Sequence, residues 1–275
     1  LGLCLDLFNK FTFEELESGL QLEGCDEAFA NEDNLVYKTM LFFYDRVKPK
    51  KIPKGIKISF ENNIPILAYH DVVEDAKADT DIDVKEFDKQ MKFLHKNNYK
   101  TLSLDEYYAW KKGKKIKGKK ILLTFDDGKE SYYKTVVPIL EKYNFKSTVF
   151  VIGSAINEEN YLKSSELNNL IDNKNVSVAS HSYNLHIMNL AESNNYDIYN
   201  SDIKSNSSYE YYAYPFGISN DNYATALKNN NYKLAFLYAP SKWSNRNQND
   251  YKITRIPIYK SNSLLKFIIK VIIKI

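Results

Sequence analysis

Ile121-Leu-Leu-Thr-Phe-Asp-Asp-Gly128 is an apolar run that stops at two adjacent carboxylates and a glycine. A short apolar run bounded by a turn signal reads as a strand buried on both faces, the kind that parallel sheets are made of. Side chains alternate along a strand, so Asp126 and Asp127 at its tip point different ways and can take different jobs. One can hold a cation while the other faces a substrate. The plainer alternative is that the two aspartates only open a turn, where Asp and Gly are common.

The same strand-then-helix pattern extends outward from this stretch. Residues 64–69 form a short apolar run, and residues 84–97 carry Phe87, Met91 and Leu94 at helical spacing behind Asp83, an expected N-cap. Downstream, strand-like and helix-like segments alternate: 132–143, 148–152, 165–172, 176–179, 211–214, 222–230, 234–237 and 253–256. Such alternation argues for an α/β fold with a parallel sheet or barrel, whose chemistry sits at the carboxyl ends of the strands.

Of the 275 residues, 44% are hydrophobic and 27% charged, as in a globular protein with a sizeable core. A net charge of +3 is too balanced for a chain that neutralises a phosphate backbone, so nucleic acid is not an expected partner. Cys4 and Cys25 are the only cysteines, which excludes a disulfide scaffold and a cysteine-based zinc site. Any metal must therefore be held by histidine and carboxylate. No apolar run approaches the length of about 18 residues that a membrane-spanning helix needs.

Residues 176–179 lead into Ser180-His181-Ser-Tyr-Asn-Leu-His186. Five residues apart, two histidines diverge by about 140° on a helix and lie on opposite faces of a strand. Only a loop that folds back after the strand brings both imidazoles to one ion. A lone strand-end histidine is more often structural, but two of the four histidines lie within these six residues, at a strand end like that of the Asp pair. Two His and one Asp with open positions is the ligand count of a hydrolytic metal site.

Taken together, these motifs resemble the NodB-type polysaccharide deacetylases (carbohydrate esterase family 4). Thr124-Phe-Asp-Asp-Gly128 is similar to the family's first motif, His181-Ser-x-x-x-His186 to a variant of its second, Tyr212-Ala-Tyr-Pro-Phe-Gly217 to its third, and Arg255-Ile-Pro-Ile258 to a recurrent late strand. The histidine spacing and Ala68-Tyr-His-Asp-Val72 most resemble the biofilm poly-β-1,6-N-acetylglucosamine N-deacetylases. The resemblance spans residues 64–258 and implies a distorted (β/α) barrel of the polysaccharide deacetylase type.

It also implies roles. Asp127, His181 and His186 become ligands of one divalent ion, Zn2+ by expectation, with Ni2+, Co2+ or Fe2+ as alternatives. Asp126 becomes the general base, and the Phe216 backbone N–H an oxyanion donor. Two departures stand out: Ala213 occupies the place of the family arginine that orients the base, and no histidine follows His186 to serve as the late acid. Arg255 is the candidate replacement for the first. His70 matches the early histidine of the poly-N-acetylglucosamine group and is the candidate acid, imidazole being suited to proton delivery near neutral pH; its alternative is a packed strand-end residue. His95, among lysines and asparagines, is expected to be merely solvated.

The expected activity is N-deacetylation of an N-acetylglucosamine polymer, with poly-β-1,6-N-acetylglucosamine as the substrate and acetate as the product. Deacetylation of peptidoglycan or chitin-like β-1,4 oligomers is the nearest rival. A non-catalytic glycan-binding or export protein with a relic site is the rival of another class. The division expected is an N-terminal helical extension and Lys/Pro linker over residues 1–57, with helix-like pieces at 13–20 and 36–46, then the deacetylase domain over 58–275. A chain starting at Leu1 without methionine is read as processed or trimmed, with secretion or cell-surface attachment expected. Residues 111–120, with seven lysines, read as an exposed loop. In residues 264–275, Lys266, Lys270 and Lys274 recur every four positions, which predicts an amphipathic helix. Its apolar face is expected to close the barrel, with peripheral association to an anionic membrane as the alternative. Most of the 22 tyrosines and 15 phenylalanines are expected to be core or scattered surface rather than sugar platforms.

Overall fold

The computed structural model describes residues 61–239 and 242–272, together with two strands near the start, Thr12–Leu16 and Gly19–Glu23. The chain divides into two compact units, Phe60–Leu264 with Ile275, and Leu1–Ser59 with Leu265–Lys274.

The first unit is built on eight parallel strands: β1 (Ile66–Tyr69), β2 (Tyr99–Thr101), β3 (Lys119–Phe125), β4 (Ser147–Val151), β5 (Val176–Ser180), β6 (Tyr211–Ala213), β7 (Leu234–Phe236) and β8 (Ile256–Pro257). They run in the order β7-β6-β5-β4-β3-β1-β8, with β2 paired to the first half of β3. Six of the seven residues of β3 and all of β1 and β4 are buried, because the sheet is covered on both faces. Ile253 bridges Phe236 of β7 in parallel, and the Leu237 N–H donates to the Ile253 carbonyl at 2.7 Å. Three residues on, Ile256 and Pro257 pair with Leu67 and Ala68 of β1. One short segment therefore joins the two edges, and the sheet curls back on itself as a (β/α) barrel.

Alternation sorts the side chains of each strand between two layers. Leu122, Phe150, Ala179, Ala213, Leu234 and Phe236 form one buried cluster, joined by Tyr107 and Trp110 of helix α2 (Leu104–Lys111). Tyr212, Tyr214 and Ala235 point the other way and pack with Tyr199 and Ile203 of α5 (Tyr196–Ser205) and Tyr223, Ala226 and Leu227 of α6 (Asp221–Asn229). These tyrosines are core, as expected. Between α2 and α5 come α3 (Val137–Lys142) and α4 (Ser164–Asp172), while α1 (Val84–Lys96) precedes α2. Asp83 caps α1 by accepting from the Lys85 and Glu86 N–H groups, and Phe87, Met91 and Leu94 are its buried face.

Sequence periodicity missed β2, α2 and α5. Helix α2 is short and lacks a polar-apolar stripe, its Tyr107 and Trp110 being buried at 0% exposure. The lysine stretch is also less exposed than expected. Lys111 ends α2 and its Nζ donates to the carbonyls of Arg246 and Gln248, while Lys119 and Lys120 belong to β3.

In the second unit, Thr12–Leu16 and Gly19–Glu23 pair antiparallel, with Phe13 opposite Leu22 and Glu15 opposite Leu20. The helix-like reading of residues 13–20 is corrected. Leu20 and Leu22 flank Gln21 with a period of two, and eight residues are too few for a helical match to outweigh that. The helical reading of 36–46, the linker 47–57, Cys4 and Cys25 lie outside the described residues. Helix α7 (Leu264–Ile272) forms as predicted, with Phe267 and Val271 buried one turn apart. Residues 265–274 are grouped with residues 1–59, and within the other unit the edges of the sheet meet through residues 253–257. Among the described residues no helix is long and apolar enough to cross a membrane.

Candidate metal centre and active site

Parallel register sets the strand ends level. Tyr69 pairs with Phe125, Ser180 with Val151, and Ala213 with Phe236. The residues that follow, His70, Asp126, His181 and Tyr214, leave the same end of the barrel. Backbone bonds carry the pairing one step further: the Asp126 N–H donates to the Tyr69 carbonyl at 2.9 Å and the His181 N–H to the Val151 carbonyl at 2.8 Å.

After Asp126 the chain turns sharply, with Asp127 at φ 72° and Gly128 at φ 70°. Glycine is required at 128: a Cβ there would stand 3.1 Å from Val151 Cγ1 and 3.3 Å from its Cα. The turn swings Asp127 towards the histidines and leaves Asp126 pointing elsewhere.

Asp127 Oδ1 lies 3.5 Å from His181 Nε2 and 3.6 Å from His186 Nε2, and the three candidate ligand atoms all fall within 4.8 Å of one another. The loop after β5 does fold back: Ser182 is at φ 71° and its Oγ accepts from the His186 N–H at 3.3 Å. Asp127 Oδ1 is buried and accepts no hydrogen bond, an expensive state for a carboxylate oxygen unless a cation meets it. His181 Nδ1 is 2.8 Å from the Ala213 carbonyl, which only an Nδ1–H can satisfy, and this leaves Nε2 with a free lone pair towards Asp127. Burial, and then the facing His181, push the His186 imidazole down to about 4, so His186 is uncharged at neutral pH and able to ligate. Ligand atoms about 2.0–2.2 Å from a tetrahedral ion stand roughly 3.4 Å apart, close to the carboxylate-to-imidazole separations here. The residues present fit a divalent ion, and among the described residues this is the one such group.

Asp126 has a different environment. It is 2% exposed and takes a two-pronged contact from Arg255, Nη1 to Oδ1 and Nη2 to Oδ2, both 2.7 Å. Arg255 is fully buried and also donates through Nε to the Leu237 carbonyl at 2.8 Å and through Nη1 to Thr124 Oγ1 at 3.1 Å. Burial alone would raise the Asp126 pKa, but the Arg255 guanidinium, with help from His181, wins and holds the carboxyl well below the usual carboxylate range. Asp126 is ionised at neutral pH. Ala213, where the resemblance leads one to expect an arginine, carries no charge, and the guanidinium at Asp126 comes from the closure segment 253–257.

His70 follows β1, at the same end of the barrel as Asp126 and His181. Its Nδ1 is buried without a hydrogen-bond partner. Tyr238, which the sequence reading did not single out, packs edge-on against it with centroids 5.2 Å apart. Phe216 sits in a tight turn at φ 56°, and its ring stacks on His186 at 4.4 Å and 27° while remaining half exposed. The amides that close this turn are those of Gly217 and Ile218, donating to Tyr214 and Pro215. His95 lies on α1 at the protein surface, away from this cluster.

Comparison with known proteins agrees with this geometry. Residues 113–235 match the polysaccharide deacetylase family model. YxkH of Bacillus subtilis (strain 168), a polysaccharide deacetylase by name, is 30% identical over 178 residues, 60% of this chain and 61% of that protein. The chain thus spans less than two thirds of that relative. A poly-β-1,6-N-acetyl-D-glucosamine N-deacetylase of Staphylococcus aureus (strain MSSA476) is 28% identical over 264 residues, 86% of each chain. Among solved structures, the deacetylase PplD of Streptococcus pyogenes superposes with a TM-score of 0.70 at 23% identity, over 76% of this chain and 98% of that one. IcaB from Ammonifex degensii superposes with a TM-score of 0.67 at 20% identity, over 77% and 98%. These two likenesses establish the same fold. The family match runs from just before β3 into β7 and so takes in Asp126, Asp127, His181 and His186: this stretch of the chain carries a polysaccharide deacetylase domain.

Proposed function

We propose that this protein is a metal-dependent N-deacetylase that releases acetate from poly-β-1,6-N-acetylglucosamine. The observation that carries the reading is the contrast between the paired aspartates. Asp126 is ionised and clamped by Arg255, while Asp127 Oδ1 stands unsatisfied before two imidazoles. The choice of polymer rests on the 86% overlap with the Staphylococcus aureus relative and on the early His70.

Asp127, His181 and His186 are the residues that would hold the ion. When bound, a divalent cation polarises the acetamide carbonyl and acidifies a water, which matters because Asp126, held so far down, is a weak base. Asp126 is the carboxylate that would take the proton from the attacking water. Arg255 fixes both carboxylate oxygens so that neither rotates away. The Phe216 N–H donates to the developing oxyanion. His70 delivers a proton to the departing nitrogen, so that one amide and one water become acetate and a free amine. A polymeric exopolysaccharide substrate is met outside the cell, which supports secretion or surface attachment as the site of action. Zn2+ is the ion proposed, the donor set of two imidazoles and one carboxylate being a common zinc shell.

The test is acetate release by zinc-reconstituted protein on poly-β-1,6-N-acetylglucosamine, with β-1,4-linked chitin oligomers and peptidoglycan in parallel. Release from the β-1,6 polymer that stops on chelation and returns with Zn2+ is the expected result. Faster release from a β-1,4 substrate overturns the choice of polymer, and binding of polymer without any release makes the chain a glycan-binding protein.

A further inference from the structure

Histidines five residues apart meet only if the loop between them is held in one shape, and the structure shows what holds it. The three residues preceding His186 turn consecutive backbone N–H groups onto a single carboxylate, that of Asp202 on α5. The Tyr183 N–H donates to Asp202 Oδ1 at 2.9 Å, and the Asn184 and Leu185 N–H groups donate to Oδ2 at 2.7 and 3.0 Å. Successive N–H groups turned the same way make an anion-binding hollow. Here the anion is built into the chain. These amides belong to no helix or strand ladder, so without Asp202 the loop loses three charge-assisted bonds at once.

Just past the end of α5, its C-cap residue makes a second contact. Asn206 Nδ2 donates to Ser180 Oγ at 2.8 Å and to the Ser182 carbonyl at 3.1 Å. Asp202 in the last turn of α5 and Asn206 at its C-cap therefore hold the same loop from two points. The helix itself is anchored by Tyr199 and Ile203, both fully buried in the outer layer. From that layer, rigidity passes through Asp202 to residues 183–185 and so to the next residue, His186.

We infer that Asp202 is the positioning residue for His186: its carboxylate clamps the 183–185 amides and thereby sets the imidazole opposite Asp127. The inference rests on the proposed metal centre and adds to it a group that touches neither ion nor substrate. Pre-set loop geometry makes the ion's binding free of an ordering cost, so loss of the clamp appears as weaker metal affinity.

The experiment uses the full chain, stripped with chelator and titrated with Zn2+ against a chromophoric competitor. Hydrogen exchange of the peptide covering residues 181–190 is followed in the metal-free protein. Asp202→Ala is expected to weaken Zn2+ binding about 10- to 100-fold, as loss of supporting contacts to metal ligands does, and to speed exchange in that peptide. Asp202→Asn keeps one acceptor oxygen and is expected to fall between; it carries the test if the alanine variant does not fold. Tyr223→Phe, which loses the hydroxyl contact to Tyr212 in the same outer layer, is expected to lower the melting temperature without changing Zn2+ affinity. Wild-type affinity in Asp202→Ala or in folded Asp202→Asn overturns the inference alone, as does an equal loss of affinity in Tyr223→Phe. A wild-type chain that takes up no Zn2+ overturns the metal centre and the inference with it.

Discussion

Asp126 and Asp127 are neighbours in sequence and opposites in environment, and their substitutions should separate accordingly. Asp127→Ala removes one of three protein ligands and is expected to abolish both ion uptake and turnover, measured by metal analysis and acetate release. Asp126→Asn is expected to keep the ion and lose about 10²-fold or more in kcat. It should also lose stability, because Arg255 keeps its charge in a fully buried site; breaking such a pair costs about 3–5 kcal/mol when one partner is removed. If Asp126→Asn loses the ion, the two roles are exchanged. His70→Ala is expected to leave metal content and folding intact and to reduce the rate by roughly 10²- to 10⁴-fold. Near wild-type turnover would make His70 a packing residue against Tyr238. The aspartates and both clustered histidines were legible in the sequence because each follows a strand end, a place the apolar runs mark directly. Arg255 was nameable as a replacement for the arginine missing at Ala213, but its two-pronged grip on Asp126 was not, since the guanidinium comes from 129 residues along the chain. Asp202 left no sequence signal at all. Its role depends on which way three distant amides turn.

Among the elements, the turn Pro215–Gly217 shows how tightly the site is supported. Gly217 has φ +72°, and a Cβ there would stand 2.9 Å from both the backbone nitrogen and the Cβ of Tyr238. Those are atoms that cannot rotate aside. Gly113 also has positive φ, +107°, but nothing lies within 4 Å of its Cβ position. Gly113→Ala therefore measures backbone strain alone, about 1 kcal/mol, whereas Gly217→Ala adds a clash, for a total of roughly 2–4 kcal/mol. Urea midpoints of the two variants check the difference. Gly217→Ala should further raise KM, because the displaced turn carries Phe216, stacked on His186 at the mouth of the site. Equal midpoints would show that Tyr238 yields to the new methyl. The elements that periodicity revealed, such as α1 behind its Asp83 cap, are amphipathic and at the surface. Helix α5 escaped notice although Asn195 caps it and Tyr199 and Ile203 sit at i, i+4, because its remaining residues are mostly polar and follow an Asn-rich stretch.

Over the whole molecule, the alternation of strands and helices made a parallel α/β barrel readable, but not how it closes. Closure depends on Ile253 reaching β7 and Ile256 reaching β1, contacts made by two residues three apart with opposite edges of the sheet. Every strand tip that contributes to the metal centre is therefore tied into one cooperative structure, and ion binding should be felt as global stability. An ion that binds only the folded chain stabilises it by RT ln(1 + [L]/Kd), about 2.7 kcal/mol at a free concentration of 100 Kd. For a unit of this size each kcal/mol moves the melting temperature by about 2–4 °C, so chelation is expected to lower it by roughly 5–10 °C. Calorimetry with and without chelator reads this directly. The shift should grow with the logarithm of free Zn2+ and vanish in Asp127→Ala, whose own metal-free melting temperature should not fall below that of the metal-free wild type. Removing Asp127 relieves a buried, unsatisfied carboxylate oxygen, so the variant without the ion is expected to be the more stable of the two metal-free forms. A chelator effect that persists in Asp127→Ala would place the stabilising ion somewhere other than between Asp127, His181 and His186.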